Sequence, residues 1–245
     1  MTIDVGTVTF LAFLTAVATG LGALPFLFIS GVSAARMGTA NALAAGLMVS
    51  ASLMLVIEGA AHGLPGTLLG ALAGAAFVWL SGRWLDERDD LDIGALTGAN
   101  ARKALLIMGV MTVHSFAEGV GVGVSYGGGE ALGLFITAAI ALHNVPEGLA
   151  IALVLVPRGI GVWAAAGWAV VSSLPQPLLA PPAFLAVEWF EPILAPGLGF
   201  AAGAMVLMAA SELIPEALEQ APTARVATVG SLAVLGGLAL QYLLT

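Results

Sequence analysis

The chain has 245 residues, of which 60% are hydrophobic and only 9% charged, with a formal net charge of −8. A soluble domain carries about a quarter of its residues as charges, so this chain cannot cover a water-facing surface, and its acidity argues against a nucleic-acid partner. It contains no cysteine, which excludes disulfides, thiolate metal sites and thiol catalysis.

In chain order, eight apolar runs approach or exceed the roughly 18–20 residues that cross a bilayer. They cover about 6–29, 40–61, 64–84, 104–126, 131–156, 159–187, 196–218 and 226–244. The runs are continuous rather than alternating, so they predict helices and not an outer-membrane barrel. The expected fold class is an all-α membrane protein of eight transmembrane helices in one domain. The opening "MTIDVGTVTF" has no Lys or Arg ahead of its apolar run, which disfavours a cleaved signal peptide. The sixth run contains Pro175, Pro177, Pro181 and Pro182 and is expected to be kinked or partly unwound, where protein or a cavity shelters the freed backbone groups.

Arg36, Arg83, Arg88, Arg102, Lys103, Arg158 and Arg225 all fall on one side of this arrangement, and His62, Glu130, Glu188 and Glu191 on the other. The positive-inside rule makes the basic side cytoplasmic and places both termini outside. The connection 85–103 is then a cytoplasmic loop. Its "DERDDLD" reads as a solvated segment or as one that gathers cations near a pore mouth. The Ala and Gly content and the lack of a targeting signal point to a bacterial inner (plasma) membrane.

Two short repeats stand out. "HSFAEG" at 114–119 and "HNVPEG" at 143–148 share H-x-x-x-E-G on consecutive runs, and "AAGLMV" at 44–49 resembles "AAGAMV" at 201–206. Each pair lies on oppositely directed helices, which suggests runs 1–3 and 6–8 as inverted halves around runs 4 and 5. Inverted repeats about a polar site near the midplane recur in transporters.

A His and a Glu four residues apart share one helix face. His114 with Glu118 and His143 with Glu147 therefore form two such pairs, and Asn144 can flank the second. Pro146 obstructs the carbonyl of Leu142, and Gly119 and Gly148 let helices approach closely. A charged group at the centre of a membrane helix costs about 2.5–3.5 kcal/mol, so paired carboxylates call for a cation or a proton. Imidazole with carboxylate suits Zn²⁺, Fe²⁺ or Mn²⁺ and is too poor in oxygen ligands for a calcium cage. A structural ion pair is the alternative. Met48 is open between thioether ligand and packing, and Met205 reads as packing.

On these residues the chain resembles the ZIP (Zrt-, Irt-like protein) family of divalent-metal transporters, bacterial type. "HNVPEGLAIAL" is specific to that family and "HSFAEG" is a weaker form of the same motif. The resemblance implies an intramembrane transport site, often binuclear, with His114, Glu118, His143, Asn144 and Glu147 as ligands, and Met48 at a position that can add sulfur. Two departures stand out: Ser115 and Ala117 replace an Asn and a Pro of the motif, and Gln176 stands where many members have a Glu. Ser115 is a weaker ligand than Asn. Gln176 can coordinate through its carbonyl oxygen but brings no charge, which leaves a single-metal site or altered selectivity open. Glu212, in "SELIPEALE", is a candidate for a cation exit path, while His62 and Glu58 stand near the outer mouth.

The expected function is movement of a divalent cation, Zn²⁺ first and Fe²⁺, Mn²⁺ or Cd²⁺ as alternatives, into the cytoplasm by alternating access. The metal is cargo, and no prosthetic group is expected. The partners are the ion and the bilayer, and small-residue helix faces suit a homodimer. An intramembrane metalloenzyme is the weaker alternative, because the chain has no H-E-x-x-H. A metal sensor or a non-transporting paralogue is the other.

Overall fold

A computed structural model describes residues 4–29, 31–86 and 99–244, and every regular element among them is helical. Residues 87–98, which include Arg88 and most of the expected cytoplasmic loop, lie outside the described residues.

Helix α1, Val5–Leu21, begins where the Asp4 carboxylate accepts the Thr7 backbone N–H at 2.7 Å, and it is followed by a 3-10 turn, Leu24–Leu27. Helix α2, Ala34–Asp86, takes in both the second and the third expected runs and is broken at Gly63 (φ 160, ψ 96). A straight helix would separate residues 59 and 67 by about 12 Å. Instead, a Cβ placed on Gly59 would stand 2.8 Å from the Thr67 hydroxyl. The chain therefore folds back at Gly63 into two arms, 34–62 and 64–86. Pro65 heads the second arm, where its missing N–H is no loss.

Helices α3, Ala99–Gly127, and α4, Glu130–Leu155, form a hairpin whose turn uses Gly129 at φ 127, a conformation side chains resist. Pro146 sits inside α4 without ending it. The proline-rich sixth run divides, as expected, into α5, Val162–Ser172, and α6, Pro175–Trp189, with the break at Ser173 and Leu174 and Pro175 opening α6. Helix α7, Leu194–Met208, continues through a π-turn, Ala209–Leu213, into α8, Ile214–Gln220, and α9 covers Thr223–Leu244.

Glycines let these helices pack backbone to backbone, and the contacts give the directions. A Cβ on Gly199 or Gly203 would strike the carbonyls of Thr67 or Ala71, so α7 runs parallel to the second arm of α2. Gly46 meets Gly230 and Gly237 meets Ser50, so α9 runs parallel to the first arm. Gly119, Gly123 and Gly127 meet Gln176, Ala180 and Val187 in turn, so α3 runs parallel to α6. Helix α1 opposes α5 and α6, because Thr15 meets Gln176, Thr19 meets Ser173 and Gly20 meets Val170. The resulting core holds Leu55, Phe135, Ile136, Ile140, Leu198, Met48 and Met205, all nearly inaccessible. Large apolar side chains such as Leu69, Leu72, Trp163 and Leu178 are instead well exposed, as a lipid-facing surface requires.

Six helical stretches among the described residues are long and apolar enough to cross a membrane: Val5–Leu27, Ala34–Trp84, Glu130–Arg158, Val162–Trp189, Glu191–Gln220 and Thr223–Leu243. The chain is thus an all-α integral membrane protein.

Candidate metal centre

The two H-x-x-x-E-G segments meet in the middle of the bundle. On α4 the four-residue spacing sets His143 Nε2 3.0 Å from Glu147 Oε1. The same nitrogen lies 3.3 Å from Glu118 Oε1 on α3. One imidazole nitrogen therefore stands between two carboxylates, with His143, Glu118 and Glu147 exposed by only 1%, 0% and 3%. A nitrogen carries at most one proton to share between two such acceptors. Among the described residues, Glu118 Oε1, Glu147 Oε2, His143 Nδ1 and Asn144 Oδ1 receive or donate no hydrogen bond. Buried polar atoms are almost always satisfied, so this concentration marks a place prepared for something else.

Donor atoms from Glu118, His143 and Glu147 all lie within 4.8 Å of one another. Tetrahedral zinc ligands at about 2.0–2.2 Å stand about 3.3–3.6 Å apart. The 3.0 and 3.3 Å separations around His143 Nε2 are within a few tenths of that spacing. A divalent ion could replace the contested proton and engage both carboxylates at once.

The remaining expected residues fall around this triad in distinct ways. His114 flanks it: Nδ1 is 3.6 Å from Glu147 Oε1, and Nε2 is 3.2 Å from Glu212 Oε1. Glu212 reaches inward from the π-turn and keeps its side chain about one third exposed. π-Turns often mark functional sites in helices. Asn144 donates to the Thr15 carbonyl at 2.7 Å and to Gln176 Oε1 at 3.1 Å, which leaves its own oxygen free. Gln176 donates to Glu118 Oε2 at 2.6 Å and accepts from the Thr15 hydroxyl at 2.5 Å. Ser115 is buried but faces the α5–α6 break, 3.4 Å from the Ser173 hydroxyl, which also meets Thr19 at 2.7 Å. Met48 lies in the main apolar core with Ala51 and Leu55. Away from the centre, His62 pairs with Glu58 at 3.1 Å, both partly exposed.

Thr15, Thr19 and Ser173 tie α1 to the centre and were not singled out from sequence. A lone hydroxyl on an apolar helix commonly satisfies itself on the preceding turn, as Thr9 does on Val5, Ser52 on Met48 and Thr15 itself on Ala12. Nothing in their sequence context marks Thr15, Thr19 and Ser173 as different.

Fold and site together define a helical membrane protein with a buried Glu–His cluster that could hold a metal ion. The chain belongs to the ZIP zinc transporter family, whose model matches residues 86–245. Among its relatives, an Arabidopsis thaliana protein provisionally named as a zinc transporter is 43% identical over 244 residues, covering 98% of this chain and 39% of the plant protein. The zinc transporter GufA of Myxococcus xanthus is 34% identical over 221 residues, covering 83% of this chain and 85% of the bacterial protein. The zinc transporter ZIP11 of Homo sapiens is 38% identical over 133 residues, covering 49% of this chain and 37% of the human protein. The chain thus spans less than half the length of the plant and human relatives and most of the bacterial one.

Proposed function

We propose that this chain carries Zn²⁺, or a divalent ion of similar chemistry, across the membrane to the cytoplasm through the centre formed by Glu118, His143 and Glu147. The observation that carries this reading is the buried triad with unsatisfied oxygens. It has too little water access to be a surface ion pair, and it leaves one oxygen of each carboxylate, Glu118 Oε1 and Glu147 Oε2, without a hydrogen bond among the described residues. Asn144 Oδ1 and His114 stand ready as further ligands, Met48 remains a candidate sulfur donor, and Ser115 contributes indirectly through Ser173. Glu212, about one third exposed and 3.2 Å from His114 Nε2, is the next donor on the way out. Relatives named as zinc transporters favour zinc as the cargo.

Eight crossings fit the helix directions. Counting the two arms of α2 separately, pairing α5 with α6 and α7 with α8, and including α3, every parallel contact joins crossings an even number apart and every antiparallel contact an odd number. The inverted 3+2+3 arrangement has similar support. Gly46 of "AAGLMV" packs against α9 while Gly203 of "AAGAMV" packs against the second arm of α2. Likewise Gly119 packs on α6 and Gly148 on α1. These are the exchanges expected if crossings 1, 2, 3 and 4 correspond to 6, 7, 8 and 5. Alternating access would then move α1, α3, α4, α5 and α6 against α2, α7, α8 and α9.

Uptake of Zn²⁺ into proteoliposomes with an internal zinc-sensitive dye tests the reading. Flux in the native chain that collapses in His143→Ala and Glu147→Ala is expected. Absence of Zn²⁺, Fe²⁺ and Mn²⁺ flux in folded protein would move the function to sensing.

A further inference from the structure

Two carboxylates on facing helices can hold one divalent ion, or bridge two as in paired-metal sites. In its commonest bridging mode a carboxylate gives one oxygen to each ion. At Glu118 the two oxygens are not equivalent. Oε1 makes no hydrogen bond among the described residues and faces His143, whereas Oε2 accepts from Gln176 Nε2 at 2.6 Å.

Gln176 is inaccessible, and both ends of its amide are engaged. Its nitrogen donates to Glu118, and its oxygen accepts from the Thr15 hydroxyl at 2.5 Å and from Asn144 Nδ2 at 3.1 Å. An amide oxygen has two lone pairs, and Thr15 Oγ1, whose one proton is also within reach of the Ala12 carbonyl, and Asn144 Nδ2 occupy both approaches, which leaves no direction open to a metal. The opposite assignment of the amide would set its oxygen against the Glu118 carboxylate and its nitrogen against the Asn144 amide nitrogen, which the network disfavours.

The close approach is built into the backbone. A Cβ on Gly119, the residue after Glu118, would stand 2.8 Å from Gln176 Cα and 2.9 Å from the Pro175 carbonyl. Only with glycine there can the head of α6 come close enough for Gln176 to reach Glu118.

We propose that Gln176 is a fixed internal donor that takes the place of a second cation beside Glu118, so that the centre holds one divalent ion at a time. Gln176 is then a positioning residue. It aims Glu118 Oε1 at the ion and locks Asn144 with its oxygen free. The proposal rests on the zinc-site reading above and specifies its stoichiometry.

The test counts zinc by elemental analysis in purified full-length protein equilibrated with Zn²⁺ near pH 8. The count for a His143→Ala, Glu147→Ala double variant is subtracted, which removes ions held elsewhere, for instance at His62. One ion for the native chain and two for Gln176→Glu are expected, because a third carboxylate in place of the donor leaves both Glu118 oxygens open. Gln176→Met should keep one ion with affinity reduced roughly 10–100-fold, the usual effect of losing a group that orients ligands. Two ions in the native chain, or one in a folded Gln176→Glu, would overturn the proposal. If Gln176→Glu does not fold, the native count and Gln176→Met still decide. A native count of zero would instead refute the zinc site itself.

Discussion

Replacing Gly148 by Ala perturbs the centre without touching any atom proposed to bind the metal. The new Cβ would collide with the Thr19 carbonyl oxygen on α1. A backbone oxygen on a packed helix cannot rotate aside, so α1 must move. Overpacking of this kind costs about 1–3 kcal/mol, while Ala in place of Gly within a helix returns only about 0.5–1 kcal/mol. The middle of these ranges leaves a net loss of about 1 kcal/mol, which for a chain of this length lowers the melting temperature by roughly 2–4 °C. Moving α1 also draws the Thr15 carbonyl from Asn144, now 2.7 Å away, so zinc affinity should fall with stability. Gly167→Ala is the control. It lies in α5 with nothing within 4 Å of its Cβ position and should leave stability equal or slightly higher. Thermal unfolding in detergent and zinc titration of both variants check this. A Gly148→Ala protein as stable and as zinc-avid as the native chain would refute the packing argument.

Other consequences follow from the same geometry. Asn144→Ala should weaken zinc binding roughly 10–100-fold by removing both a free oxygen and the bonds to Thr15 and Gln176, as a zinc titration would show. Glu212→Gln should slow flux in proteoliposomes while leaving zinc binding at the triad intact, because Glu212 contacts His114 and not the triad itself; an unchanged rate would remove it from the path. Since the chain has no cysteine, single replacements report sidedness directly. Arg225→Cys should react with impermeant thiol reagents from the cytoplasmic face and Glu191→Cys only from the opposite face.

Much of the centre could be foreseen because its chemistry is local in sequence. The four-residue spacing of His143 and Glu147 sets their 3.0 Å contact on a single helix, and the glycine after each glutamate announces a close helix neighbour. The clustered prolines likewise foretold the break between α5 and α6. The π-turn could not be seen in the same way. Residues 209–213 carry no helix breaker themselves, although Pro215, two residues on, obstructs the Ser211 carbonyl, and only the folded chain shows that the turn brings Glu212 to His114. The role of Gln176 was equally hidden. Its type suggested a replaced ligand, but which atoms it engages depends on α1, 161 residues from it in sequence at Thr15. At Gly63 a single non-helical residue reverses the chain, so the second and third expected crossings follow each other as two arms with no longer connection between them.

The most direct measurement is zinc K-edge X-ray absorption on the zinc-loaded full chain, compared with His143→Ala. Bound Zn²⁺ should show nitrogen and oxygen neighbours at about 2.0–2.2 Å, with imidazole scattering that diminishes in the variant. A spectrum of hydrated zinc, or one unchanged by His143→Ala, would contradict the placement of the ion between Glu118, His143 and Glu147.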